Sequence, residues 1–136
     1  MRENDFATLA RLEEAFERKD LSEFISFLDG SKARPLLLRV RAVCMLEHIG
    51  DESVVQPLFR VLKEDPSPLT LHEAAFTLGQ LGYRSAVPAL VEAMLNDISS
   101  IVRHESAVAL SSIGDDGVLP QLEKAIGDKD ADVTPR

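Results

Sequence analysis

Tryptophan is missing from this chain, tyrosine occurs once and phenylalanine six times, so aromatic residues fill only 5% of its 136 positions. Packing therefore falls to Leu, Val, Ile and Ala, a palette that favours helices over a β-sandwich. A single cysteine, Cys44, excludes a disulfide framework. Cations are also in short supply, 15 against 23 carboxylates for a formal charge of −8. No cluster of Lys and Arg is dense enough to neutralise a phosphate backbone, which argues against a nucleic-acid partner. Long apolar runs of the roughly 18 residues that a membrane span needs do not occur, and residues 1–20 lack the apolar core of a signal peptide. The expectation is a cytoplasmic protein with no membrane partner. With 45% apolar residues, it has material for one continuous core.

What the chain does have is a repeat. Gly50, Gly82 and Gly114 recur at a period of 32, each closing an apolar-periodic segment. In the same register Leu46, Leu78 and Leu110 align, as do Ile49, Leu81 and Ile113, then Val55, Val87 and Leu119, then Leu58, Leu90 and Leu122. These columns are the expected core. Within one unit Leu71, Ala74, Ala75, Leu78 and Leu81 are spaced by three and four, the stripe of an amphipathic helix. The glycine after it supplies the positive φ with which helices commonly stop.

The spacing predicts helices over 5–19, 21–28, 35–49, 53–63, 68–81, 85–95, 99–113 and 117–126. Ser53, Ser85 and the Asp116-Gly117 pair would open second helices, with Pro35 and Pro68 in first turns, where no amide hydrogen bond is lost, and Pro88 and Pro120 early in their helices. The predicted fold is all-α, an α-solenoid of about four antiparallel helix pairs in a single domain over 1–136. Residues 1–30 form a divergent N-terminal cap with Phe6, Leu9, Leu12, Phe16, Phe24, Ile25 and Leu28 on its apolar face, and the repeats lie at about 35–64, 68–96 and 99–128. Val133 falls in the column of Leu69 and Ile101 shortly before Arg136, so the last face is expected to need a partner, a second copy or further repeats.

Catalytic signatures such as G-x-S-x-G, the phosphate-cradling glycine loop, H-E-x-x-H and paired C-x-x-C are absent. One dipeptide recurs in register: His72-Glu73 and His104-Glu105, on helices expected to pack side by side. Axes of neighbouring helices lie about 8–10 Å apart, so the two imidazoles are within reach of one ion. Imidazole with carboxylate suits non-haem iron, manganese and some zinc sites, and this ligand set contains no thiolate that would select a structural zinc. The bland alternative is a solvated helix flank, and Val40-Arg41 fills the same column in the first unit. His48 reads as a surface imidazole near a helix end, Cys44 and Met45 as buried fillers along with Met94, and Tyr83 as a surface turn residue. Arg103 is expected to pair with a carboxylate or bind an acidic group.

The columns resemble HEAT repeats, in the short form shared with phycobilin lyase subunits. Leu71-His72-Glu73 with Leu78-Gly79-Gln80-Leu81, Ala86-Val87-Pro88-Ala89-Leu90, and Val102-Arg103-His104-Glu105 with Ile113-Gly114-Asp115 are similar to one half of deoxyhypusine hydroxylase, over Pro35 through Asp130. That family is a di-iron monooxygenase of two halves, each giving two His-Glu motifs to the irons that activate dioxygen for hydroxylation of a modified lysine. The resemblance implies His72 and His104 as iron ligands, Glu73 as ligand or bridge, and Glu105 as ligand or orienting group, with Glu73 and Glu105 the catalytic candidates. Because one half is present, it also implies a homodimer and a protein substrate. The rival expectation is a non-enzymatic HEAT-repeat scaffold for protein partners.

Overall fold

The computed structural model describes residues 3–29, 34–114 and 118–124 of the chain. Its helices are α1 (Glu3–Arg18), α2 (Leu21–Phe27), α3 (Leu36–Ile49), α4 (Val55–Glu64), α5 (Pro68–Leu81), α6 (Val87–Asn96) and α7 (Ser100–Ile113). A further helical segment, α8, covers 118–124. No strand occurs among the described residues. The first three long helices of the array, α3, α5 and α7, lie side by side as one layer, and α4 and α6 form the second. Within that second layer the two helices touch only marginally. α4 packs along α5 and α6 along α7 across short connections, the arrangement of antiparallel neighbours.

Each boundary has a local cause. α3 and α5 end at Gly50 and Gly82, whose φ values of 70° and 69° lie in the left-handed region, each donating its N–H back to the preceding Leu46 or Leu78 carbonyl. α5 begins on Pro68 as expected. Pro35 instead precedes its helix as an extended cap. Ser53 and Ser85 do not open α-helices directly, because 3-10 turns over Glu52–Val54 and Arg84–Ala86 come first. Asp51 holds the earlier turn by accepting from the Ser53 N–H.

The core runs unbroken from Leu12 and Phe24 in the cap through Leu46, Leu58, Leu62, Leu78 and Leu90 to Leu110. Each fully buried leucine contributes about 1.5–3 kcal/mol over its exposed state. The cap's stripe is less complete than expected, since Phe6 and Ile25 are exposed and Leu9, Phe16 and Leu28 are half-buried. At the other end, Val55 and Val87 are buried whereas their register partner Leu119 is 52% exposed, because no described helix covers it. Leu81, Ile113 and Leu122 are half-buried. Asp115, Asp116, Gly117, Asp130, Val133 and Arg136 lie outside the described residues.

Polar ties join successive units. The Tyr83 hydroxyl donates to the Gly50 carbonyl, so this half-buried ring is a strut between repeats rather than a free turn residue. Lys63 pairs with Asp97, and Arg39 forms two contacts with Asp65, at 3.0 and 3.4 Å. Among the described residues no helix is long and apolar enough to cross a membrane.

Candidate metal and protein-binding face

The connections before α5 and α7 set the site. Asp65 and Asp97 each accept from the backbone N–H two residues on, at Ser67 and Ser99, fixing how the next helix starts. The Lys63 ammonium, together with the Ser99 N–H, holds the Asp97 carboxyl below its ordinary range despite desolvation. Arg103 turns its guanidinium back to the Asp97 and Ile98 carbonyls, so it braces the α7 entrance instead of presenting its charge to a ligand. His72 and His104 consequently stand at equivalent places in the second turn of α5 and α7.

Neighbouring helices approach very closely here. A Cβ added at Gly79 would lie 2.7 Å from the Ser112 Cβ, so only glycine fits that crossing. Two turns earlier on the same helix pair, the Nδ1–H of His72 donates to Oε2 of Glu105 at 3.0 Å. The Glu105 side chain is only 11% exposed while that of His72 is 52% exposed, so the carboxylate is built into the helix interface and the imidazole leans from it into solvent. Glu73 is half-buried and His104 exposed. Among the described residues no group of three or more His, Cys, Asp or Glu side chains lies close enough to hold a metal ion. The four expected residues are thus one hydrogen-bonded pair with two flanking donors, not a closed ligand cluster within one chain.

Cys44 is half-buried rather than fully enclosed. Burial pushes its thiol up, and the charges of Glu73 and Glu47 push it further the same way. The Glu73 carboxylate therefore acts electrostatically on α3 as well as on its own helix. His48 is exposed, as expected, and its Nδ1–H donates to the Cys44 carbonyl at 2.9 Å. Met45 is buried and Met94 half-buried.

Two features of this face escape a motif search. The pairing is diagonal, His72 to Glu105, where the register aligns His72 with His104. And the His-Glu row is edged by exposed apolar residues, Leu69 and Phe76 on α5 and Ile101 on α7, whose signal was the column position of Leu69 and Ile101.

The family description "HEAT repeats" matches residues 23–111 and, overlapping, 61–135. The chain belongs to the HEAT repeat family. A HEAT array offers the layered helices and extended side surface seen here. One curated relative is a deoxyhypusine hydroxylase from Cryptococcus neoformans var. neoformans serotype D (strain B-3501A), 51% identical over 47 residues. The match takes in 35% of this HEAT chain and spans 13% of that relative's length.

Proposed function

We propose that this HEAT-repeat chain supplies one half of an iron-dependent hydroxylase acting on a lysine-derived side chain of a protein, with the metal pair completed by a second copy. The observation that carries the reading is the His72–Glu105 hydrogen bond between adjacent repeats. It commits Nδ1 to a carboxylate and leaves Nε2 as the nitrogen for a metal, the arrangement by which ligating histidines are usually oriented. The local likeness to a deoxyhypusine hydroxylase supports the same chemistry.

The donor set of imidazole and carboxylate fits iron. His72 and His104 would hold it, with Glu73 as ligand or bridge, and iron bound there would supply dioxygen activation. Glu105 fixes the His72 ring and keeps the proton on its Nδ1. The exposed side of α5 and α7 admits a long side chain without a lid. Because one chain brings no three such donors together among the described residues, the second copy is integral to the reading.

The test is elemental analysis of untagged protein from iron-supplemented expression, alongside sedimentation. About one iron per chain in a dimer is expected, lost in a folded His72→Ala/His104→Ala variant, with oxygen consumption in the presence of a reductant. Folded protein unable to take up iron anaerobically would overturn it. The missing three-donor cluster favours a second reading, a metal-free scaffold for protein partners; recovery of a stable complex by iron-free protein would support that.

A further inference from the structure

Where the cap meets the first repeat, α1, α2 and the chain entering α3 enclose a small pocket of about 30 Å³. Arg11 from α1, Glu23 and Ser26 from α2, and Arg34 just ahead of α3 line it, with the buried Leu12 and Phe27 as its apolar wall. One water needs about 10–15 Å³ by this measure. The space therefore matches about two waters or one small oxyanion.

Arg34 sets the charge of this pocket. Its guanidinium stands over the Phe27 ring, 5.1 Å from the centroid, and its carbonyl accepts from Arg39, which Asp65 holds in turn. Its Nε is buried without a hydrogen-bond partner, and among the described residues no carboxylate forms an ion pair with it. A charge partly stripped of water and lacking a counter-charge is costly, and an anion in the pocket offsets that cost. Arg11 adds a second guanidinium, whose 3.5 Å contact with Glu23 is long and largely exposed and so holds it only weakly. Glu23 narrows the choice of anion. An oxyanion without protons, such as sulfate, sets acceptor against acceptor there, whereas phosphate near pH 7 keeps at least one proton and can donate to a carboxylate while accepting from guanidinium and hydroxyl.

We propose that the pocket between the cap and the first repeat binds inorganic phosphate, with Arg11, Arg34 and Ser26 as donors and Glu23 as the acceptor of its proton. Bound there, phosphate ties α1, α2 and the entrance of α3 together. The site shares no residue with the His-Glu face on α5 and α7, so it stands or falls apart from the hydroxylase reading.

The test is isothermal titration calorimetry of the full chain with phosphate and with sulfate at pH 7 and constant ionic strength. Phosphate is expected to bind about tenfold tighter than sulfate, and Arg34→Gln to weaken phosphate by about the same factor or more. Glu23→Gln, whose amide donates as well as accepts, is expected to erase the preference by raising the affinity for sulfate. Arg60→Gln, an exposed arginine on α4 outside the pocket, leaves both titrations unchanged, and circular dichroism verifies the fold of each variant. If Arg34→Gln does not fold, the Glu23→Gln comparison carries the test by itself. Equal binding of phosphate and sulfate by the parent chain, a phosphate affinity that folded Arg34→Gln leaves intact, or a preference for phosphate that survives Glu23→Gln overturns the proposal. A phosphoserine peptide, whose phosphoryl group is mostly free of protons at pH 7, is expected to bind more weakly than phosphate; tighter binding of the peptide overturns the proposal by assigning the pocket to a phosphorylated protein.

Discussion

Gly79→Ala is the most informative single substitution in this array. In an ordinary exposed helix the change stabilises by about 1 kcal/mol, because alanine has the better helix propensity. Here the new methyl would sit 2.7 Å from the Ser112 Cβ and 3.1 Å from its Oγ. The Cβ is fixed to the α7 backbone and has no rotamer to escape into, so α5 and α7 must separate by several tenths of an ångström. Overpacking of this kind costs about 1–3 kcal/mol, so the net expectation, after the propensity gain of about 1 kcal/mol, is a loss of up to about 2 kcal/mol. Ser112→Gly removes both obstructing atoms and leaves the Ala109 carbonyl at 3.4 Å, an ordinary contact. The double variant should recover most of the loss beyond the propensity cost of the new glycine. Urea denaturation of the four proteins gives the coupling directly. A Gly79→Ala protein more stable than its parent by about 1 kcal/mol would refute the close crossing of α5 and α7 at this point.

Three further outcomes are expected. Glu73→Gln removes a negative charge that raises the Cys44 thiol, so the thiol's titration moves down and its reaction with a disulfide reagent at pH 8 quickens; an unchanged rate would place Glu73 away from Cys44. Asp97 has its folded value depressed, so its contribution to stability is present above the ordinary carboxylate range near pH 4 and is lost as pH falls through the folded value; Asp97→Asn should cost about 1–2 kcal/mol at pH 7 and flatten the acid limb of a denaturation series. Tyr83→Phe removes the strut to the Gly50 carbonyl and should cost about 1 kcal/mol in the urea midpoint followed by circular dichroism, with no loss if the bond is absent.

The helices were legible because burial and backbone punctuation agree along the chain: α5 spans Pro68–Leu81 as its proline, stripe and terminal glycine indicate. Gly114 departs from its two register mates, with φ 102° and ψ 171°, so identical spacing did not guarantee identical turn geometry. The 3-10 turns before α4 and α6 carry no periodic signal, being too short to show one. At the candidate site the residues were legible but their partners were not. A period states which positions are equivalent, whereas neighbouring helices are staggered, so contacts between units fall off the period: His72 to Glu105, Tyr83 to Gly50 and Ser85 to Glu52 each span 33 residues, and Lys63 to Asp97 spans 34. The column placed His72 beside His104, and the stagger gave it Glu105.

The unequal packing of the two layers has a mechanical consequence. With α3, α5 and α7 held flank to flank and α4 and α6 in marginal contact, bending of the array opens or closes the loose side and leaves the tight side almost unstretched, as a watch strap flexes about its inner links. The His72-Glu73 and His104-Glu105 positions both ride on the tight layer. Their mutual spacing is therefore preserved while the molecule flexes around whatever it holds, a ruler whose graduations stay fixed as its backing bends.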